Sequence, residues 1–77
     1  MISRAVSLAA MQLTINGTAR TFDHPVHTVA DVVRALALEG KRIAVERNGE
    51  IVPRSRYAET PIVGSDRLEI VGAVGGG

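Results

Sequence analysis

The residues of this chain best suited to chemistry are its last ones. Gly75, Gly76 and Gly77 close the segment Gly72-Ala73-Val74-Gly75-Gly76-Gly77, which has almost no side chain to bury. Glycine loses more backbone freedom on ordering than any other residue, so residues 72–77 are expected to form a flexible tail. A free carboxylate on such a tail becomes a unit of chemistry when another protein threads it into an active site. A frayed end is the plainer alternative, and the tail alone does not choose between them.

The other polar groups offer less. His24 and His27 are three apart in a loop with Pro25, and no third ligand matches them, so solvated imidazoles are expected and no metal site. The carboxylates Asp31, Glu39, Glu46, Glu50, Glu59, Asp66 and Glu69 suggest no acid–base pair, being separated by turns and placed mostly at caps or solvent-facing positions. Lys41, Arg42, Arg54 and Arg56 are either scattered surface charge or contacts for a partner or a phosphate. With no cysteine, there is no disulfide, no thiolate metal site and no thiol nucleophile. The glycine-rich segment is not a phosphate loop, since it lacks the lysine and the helix that such a loop precedes.

The scaffold that must carry these groups is small. Seventy-seven residues allow one domain with little room for an enclosed active site. The hydrophobic fraction of 45% argues against disorder. Phe22 and Tyr57 are the only aromatics, so the core is expected to consist of Val, Ile, Leu and Ala. A net charge of +1 with interspersed signs provides no basic field for nucleic acid, and no apolar run is long enough to cross a bilayer. Residues 1–10 are too short and too interrupted, by Arg4 and Ser7, for a secretory signal. They are expected to be a loose extension before a domain over 11–71, with Met11 a second candidate start.

Met11, Leu13 and Ile15 alternate with polar residues, the period of a half-buried strand. Asn16-Gly17 then predicts a tight hairpin turn into a second strand, Thr18 to Phe22. A strict two-residue turn puts Arg20 on the face of Leu13 and Ile15, so the register stays open between that turn and a bulge. Thr28 with Asp31 forms a capping-box pattern, and Val29, Val32, Val33 and Leu36 make one helical stripe. Gly40 is the expected stop, giving a helix of about ten residues. Ile43 to Val45 begin a third strand, Asn48-Gly49 turns it, and Glu50-Ile51-Val52 continue to Pro53. Arg54 to Thr60 are expected to be irregular, with Tyr57 folded over the core. After a turn at Gly64-Ser65-Asp66, Arg67 to Val71 form the last strand, with Leu68 and Ile70 on one face. A mixed sheet wrapped around one main helix buries every apolar stripe with short connections, an α+β, β-grasp arrangement of the ubiquitin-like kind.

On this framework the run Asn48-Gly49-Glu50-Ile51-Val52-Pro53-Arg54, Tyr57, the segment Gly64-Ser65-Asp66-Arg67-Leu68-Glu69-Ile70 and the terminal Gly76-Gly77 resemble the ThiS family of thiamine-biosynthesis sulfur carriers. The likeness covers residues 11–77. The departures are the leader before Met11 and the third glycine, Gly75.

The resemblance implies a cytoplasmic carrier that is acted upon and is not itself an enzyme. A ubiquitin-activating-type adenylyltransferase, using ATP and magnesium, would adenylate Gly77, and sulfur from a cysteine desulfurase relay or another source would convert it to a thiocarboxylate. Thiazole synthase would then take that sulfur. The chain itself would bind no cofactor stably. The residues accord with this: a carboxylate with a pKa of about 3.3–3.7 is a poor electrophile until activated. Gly75 and Gly76 would thread a narrow channel, and Arg54, Arg56, Val71 and Val74 are candidate docking contacts. The rival readings are the small sulfur carrier subunit of molybdopterin synthase, which would share the chemistry, and a non-catalytic β-grasp binding module.

Overall fold

The computed structural model describes residues 11–72. The proposed extension 1–10 and the tail residues Ala73, Val74, Gly75, Gly76 and Gly77 lie outside the described residues.

The first hairpin pairs β1 (Met11–Ile15) with β2 (Thr18–Phe22), in the register Ile15↔Thr18, Leu13↔Arg20 and Met11↔Phe22. The strict two-residue turn is therefore the one adopted, without a bulge. Asn16 and Gly17 both have positive φ, 53° and 82°, as a turn matching the strand twist requires. Arg20 does share a face with buried Leu13, but it causes no conflict. The strand order is β2-β1-β5-β3-β4, so β2 is an outer strand, where only Phe22 is buried and Arg20 reaches solvent.

Helix α1 (Val29–Ala35) starts as its sequence predicts. The Thr28 hydroxyl accepts from the Asp31 amide at 3.2 Å, and the Asp31 carboxylate accepts from the Thr28 and His27 amides at 3.2 and 2.8 Å. Val29, Val32 and Val33 are buried. The end differs from expectation: α1 has seven residues and stops before Gly40. Ala37 turns left-handed at φ 60°, with Leu38 N–H donating to Val33 O at 2.9 Å and Ala37 N–H to Arg34 O at 3.0 Å. This is the paired-bond stop of a Schellman motif, and it lets Leu38 pack back on the core. Gly40, at φ 78°, serves a second turn closed by Lys41 N–H to Leu38 O.

Strands β3 (Ile43–Arg47) and β4 (Glu50–Val52) form the second hairpin, with Asn48 and Gly49 at φ 51° and 89°. The stretch expected to be irregular is instead a 3₁₀ helix, Arg54–Glu59. Pro53 fixes the entry at φ −64° and its carbonyl accepts from the Arg56 amide, while the Thr60 hydroxyl donates to Arg56 O at 2.7 Å. Tyr57 packs against the core as expected.

Strand β5 (Arg67–Gly72) occupies the centre of the sheet, parallel to β1 and antiparallel to β3. It runs one residue beyond the predicted end, because Gly72 still pairs with Ile43. Leu68 and Ile70 point inward and join Leu13, Ile15, Val45 and Val52 beneath α1, with Val26, Ile62 and Phe22 closing the margins. Among the described residues no alanine belongs to this buried set, so the core is Val, Ile and Leu with one phenylalanine. The architecture is a β-grasp: five mixed strands and one packed helix.

Candidate functional site

The chemistry read from the sequence belongs to the tail, so the relevant geometry is that of its root. Strand β5 delivers the chain to Gly72 from the middle of the sheet, held on one side by Ala44↔Val71 and Ile43↔Gly72. On the other side β1 covers only the first part of β5, through Thr14↔Arg67 and Ile15↔Leu68. Beyond that point the Asn16 side chain takes over. Its amide donates to Ile70 O at 2.9 Å, and its carbonyl accepts from Ile70 N–H at 2.8 Å.

The second Asn-Gly turn does the same at the start of β5. Asn48 Oδ1 accepts from Arg67 N–H at 2.9 Å, and Asn48 N–H donates to Arg67 O at 2.8 Å. Asn48 Nδ2 also donates to Asp66, at 3.1 Å. Asp66, expected at a solvent-facing turn, is 5% exposed. Its carboxylate also accepts from Arg47 Nε at 2.9 Å and from the Val63 amide at 3.0 Å. Burial pushes the Asp66 carboxyl up. The hydrogen bonds from Val63, Asn48 and Arg47, with the Arg47 charge, outweigh that and hold it below the ordinary carboxylate range. The left-handed residue of this turn is Ser65, at φ 75°. These polar roles leave no mark in hydropathy, although the two Asn-Gly dipeptides and Asp66 beside the last strand were visible.

The described docking candidates lie on different surfaces. Val71 is 56% exposed on the sheet face away from α1, beside Ala44, Glu46, Arg67 and Glu69. Arg56 borders a groove with Ile51, Pro53 and Thr60, and is 3.6 Å from Glu59. Arg54 borders a third groove with Leu38, Lys41 and Tyr57 near the end of α1. Gly75, Gly76, Gly77 and Val74 are outside the described residues, so their geometry is not placed beside these three. His24 is 3.1 Å from the Asp23 carboxylate and edge-on to Phe22 at 6.3 Å, while His27 offers its backbone to Asp31. Among the described residues no three His, Asp or Glu side chains gather as a metal site would need, and no helix is long and apolar enough to cross a membrane.

Comparison with known proteins bears on the same residues. The model of the ThiS family matches residues 13–77. The sulfur carrier protein ThiS of Bacillus subtilis is 38% identical over 65 residues, covering 84% of this chain and 98% of that protein. A thiazole synthase of Paramagnetospirillum magneticum is 45% identical over 67 residues, 87% of this chain, and this chain spans only 20% of that longer protein. In three dimensions the fold is similar to the crystal structure of the thiamine biosynthesis protein ThiS from Geobacter metallireducens. The TM-score is 0.75 at 32% identity, covering 87% of this chain and all, 100%, of the other. A family match over residues 13–77, a similar fold in a solved ThiS structure and a relative covered over 98% of its length agree: the chain belongs to the ThiS family of thiamine-biosynthesis sulfur carriers.

Proposed function

We propose that the Gly77 carboxylate is the group that carries sulfur, and that partner enzymes perform every chemical step. In the first step a carboxylate oxygen attacks the α-phosphorus of ATP in a ubiquitin-activating-type adenylyltransferase, with magnesium held there, and pyrophosphate leaves. In the second, the terminal sulfur of a persulfide formed through a cysteine desulfurase adds to the acyl carbon and AMP departs. A thiol then attacks the S–S bond of the resulting acyl disulfide, forming a disulfide with the persulfide's cysteine and releasing the thiocarboxylate. Activation comes first because an ionised carboxylate resists nucleophiles, whereas the mixed anhydride has a good leaving group. Gly75 and Gly76 allow the backbone to pass through a channel too narrow for side chains. Val71 and Val74, with Arg54 and Arg56, provide docking contacts, and the carrier works in the cytoplasm.

The observation that supports this reading is the family match running through residue 77, with glycine at each of the last three positions. Thiazole synthase is the proposed acceptor. Its support is the segment of a protein of that name that is similar to this chain. The test is a transfer assay with the thiocarboxylate form of the chain, offered separately to thiazole synthase and to molybdopterin synthase lacking its own small subunit. Sulfur consumption with thiazole synthase alone is the expected result. Transfer only to molybdopterin synthase would replace the thiazole assignment with the rival one.

A further inference from the structure

We propose that Asn16 is a positioning residue for the tail, its side-chain amide serving as the last rung on the β1 side of the strand that carries Gly77. This rests on the carrier reading above. The register of β1 against β5 ends at Ile15↔Leu68, with Asn16 N–H on Leu68 O at 2.9 Å, and the chain then reverses. Ile70 has no β1 residue opposite it. The Asn16 carboxamide, one donor and one acceptor in a plane, meets the Ile70 N–H and C=O at 2.8 and 2.9 Å, as a strand residue would. The contact joins positions 54 apart in sequence and lies two residues before Gly72, the last residue of β5. Without it, β5 is held on its β3 side only from Ile70 onward. The end of the strand is then free to splay, and the heading of the tail varies.

Asn48 provides the matching control. Its side chain also makes two hydrogen bonds, to Arg67 N–H and Asp66, but at the start of β5. Both asparagines have positive φ, which glycine adopts freely, so Asn16→Gly and Asn48→Gly each keep the turn and remove the amide. Both variants lose stability, but only Asn16→Gly loosens the root of the tail.

Pyrophosphate release by the adenylyltransferase, with the full chain as the varied substrate, separates the two. Asn16→Gly is expected to lower kcat about tenfold with KM within about twofold, since docking is intact and alignment of the reacting carboxylate is not. Asn48→Gly should leave both constants within about twofold of the unsubstituted chain. An unchanged kcat in Asn16→Gly, or an equal loss in Asn48→Gly, overturns the positioning role. Amide exchange in the free chain tests the rung independently of any partner. Protection of Ile70 N–H should fall about tenfold more in Asn16→Gly than protection of Val45 N–H. Equal changes at the two amides overturn the rung itself. An unsubstituted chain that releases no pyrophosphate overturns the carrier reading, and the exchange result still decides the rung.

Discussion

Asp66 shows how a single residue can tie the tail-bearing strand to the sheet. Its carboxylate gathers Arg47 from β3, Asn48 from the second turn and the Val63 amide, and β5 begins at the next residue. Each bond favours the ionised form, and the native group stays charged despite its burial. With a folded pKa depressed below the unfolded value of about 3.9, this contribution is complete above that value and is lost as pH falls through the folded pKa. Urea unfolding of the unsubstituted chain should therefore give a steady midpoint near neutrality and a falling one below about pH 4. Asp66→Asn, which places an amide donor against Arg47, should cost about 2 kcal/mol at pH 7 and flatten that acid limb. An unchanged acid limb in the variant would assign the pH dependence to Asp31. That residue is also held low, by the His27 amide first, against some opposing burial, with the Thr28 amide and the Arg34 and His27 charges adding to the lowering. At this scale little was legible beforehand. Asn16 and Asn48 announce turns by their dipeptides, but the partner of the Asn16 side chain lies 54 positions away, and no local pattern encodes that distance.

The elements were more legible, because periodicity and capping are local. The alternation of β1, the Thr28–Asp31 box and the stripe of α1 all reappear in the structure, down to the reciprocal bonds at the cap. The end of α1 differs from the glycine stop expected at Gly40 because the left-handed position that closes the helix is occupied by Ala37. The reason lies in tertiary packing: stopping at Ala37 turns Leu38 onto the core. An alanine at φ 60° is strained, so Ala37→Gly should raise stability by about 0.5–1 kcal/mol, net of glycine's greater entropy when unfolded. Chemical denaturation measures this directly, and a loss of stability would mean that the Ala37 methyl makes contacts worth more than the strain. The 3₁₀ helix was hidden for a similar reason. Arg54–Glu59 contains no buried residue, so it has no apolar stripe to read, and its form follows from Pro53, the Thr60 hydroxyl and the packing of Tyr57. Val33, 5% exposed on the inner face of α1, tests the packing of the helix on the sheet. Val33→Asp buries a charge without a partner and should cost about 4 kcal/mol or more, a large share of the stability of so short a domain. A cooperative thermal transition at the original temperature would show that this face of α1 is not where the core lies.

For the whole molecule, the β-grasp followed from the order of the elements and from short connections. The parallel pairing of β1 with β5 is the long-range choice that puts the tail-bearing strand in the middle of the sheet. That placement suits a handle: the core and the polar ties at Asn16, Asn48 and Asp66 all act on residues up to Gly72, while the proposed chemistry belongs to Gly77. Removing Gly77 should therefore abolish the chemistry and leave the fold intact. The most direct measurement is intact mass after incubation with the adenylyltransferase, ATP, magnesium and a sulfur source, for the full chain and for one lacking Gly77. The full chain should gain the mass of one oxygen-to-sulfur exchange, located by fragmentation at Gly77. The shortened chain should gain none and keep the same circular dichroism and thermal midpoint. Sulfur incorporation in the chain without Gly77, or at any other residue of the full chain, would contradict the account.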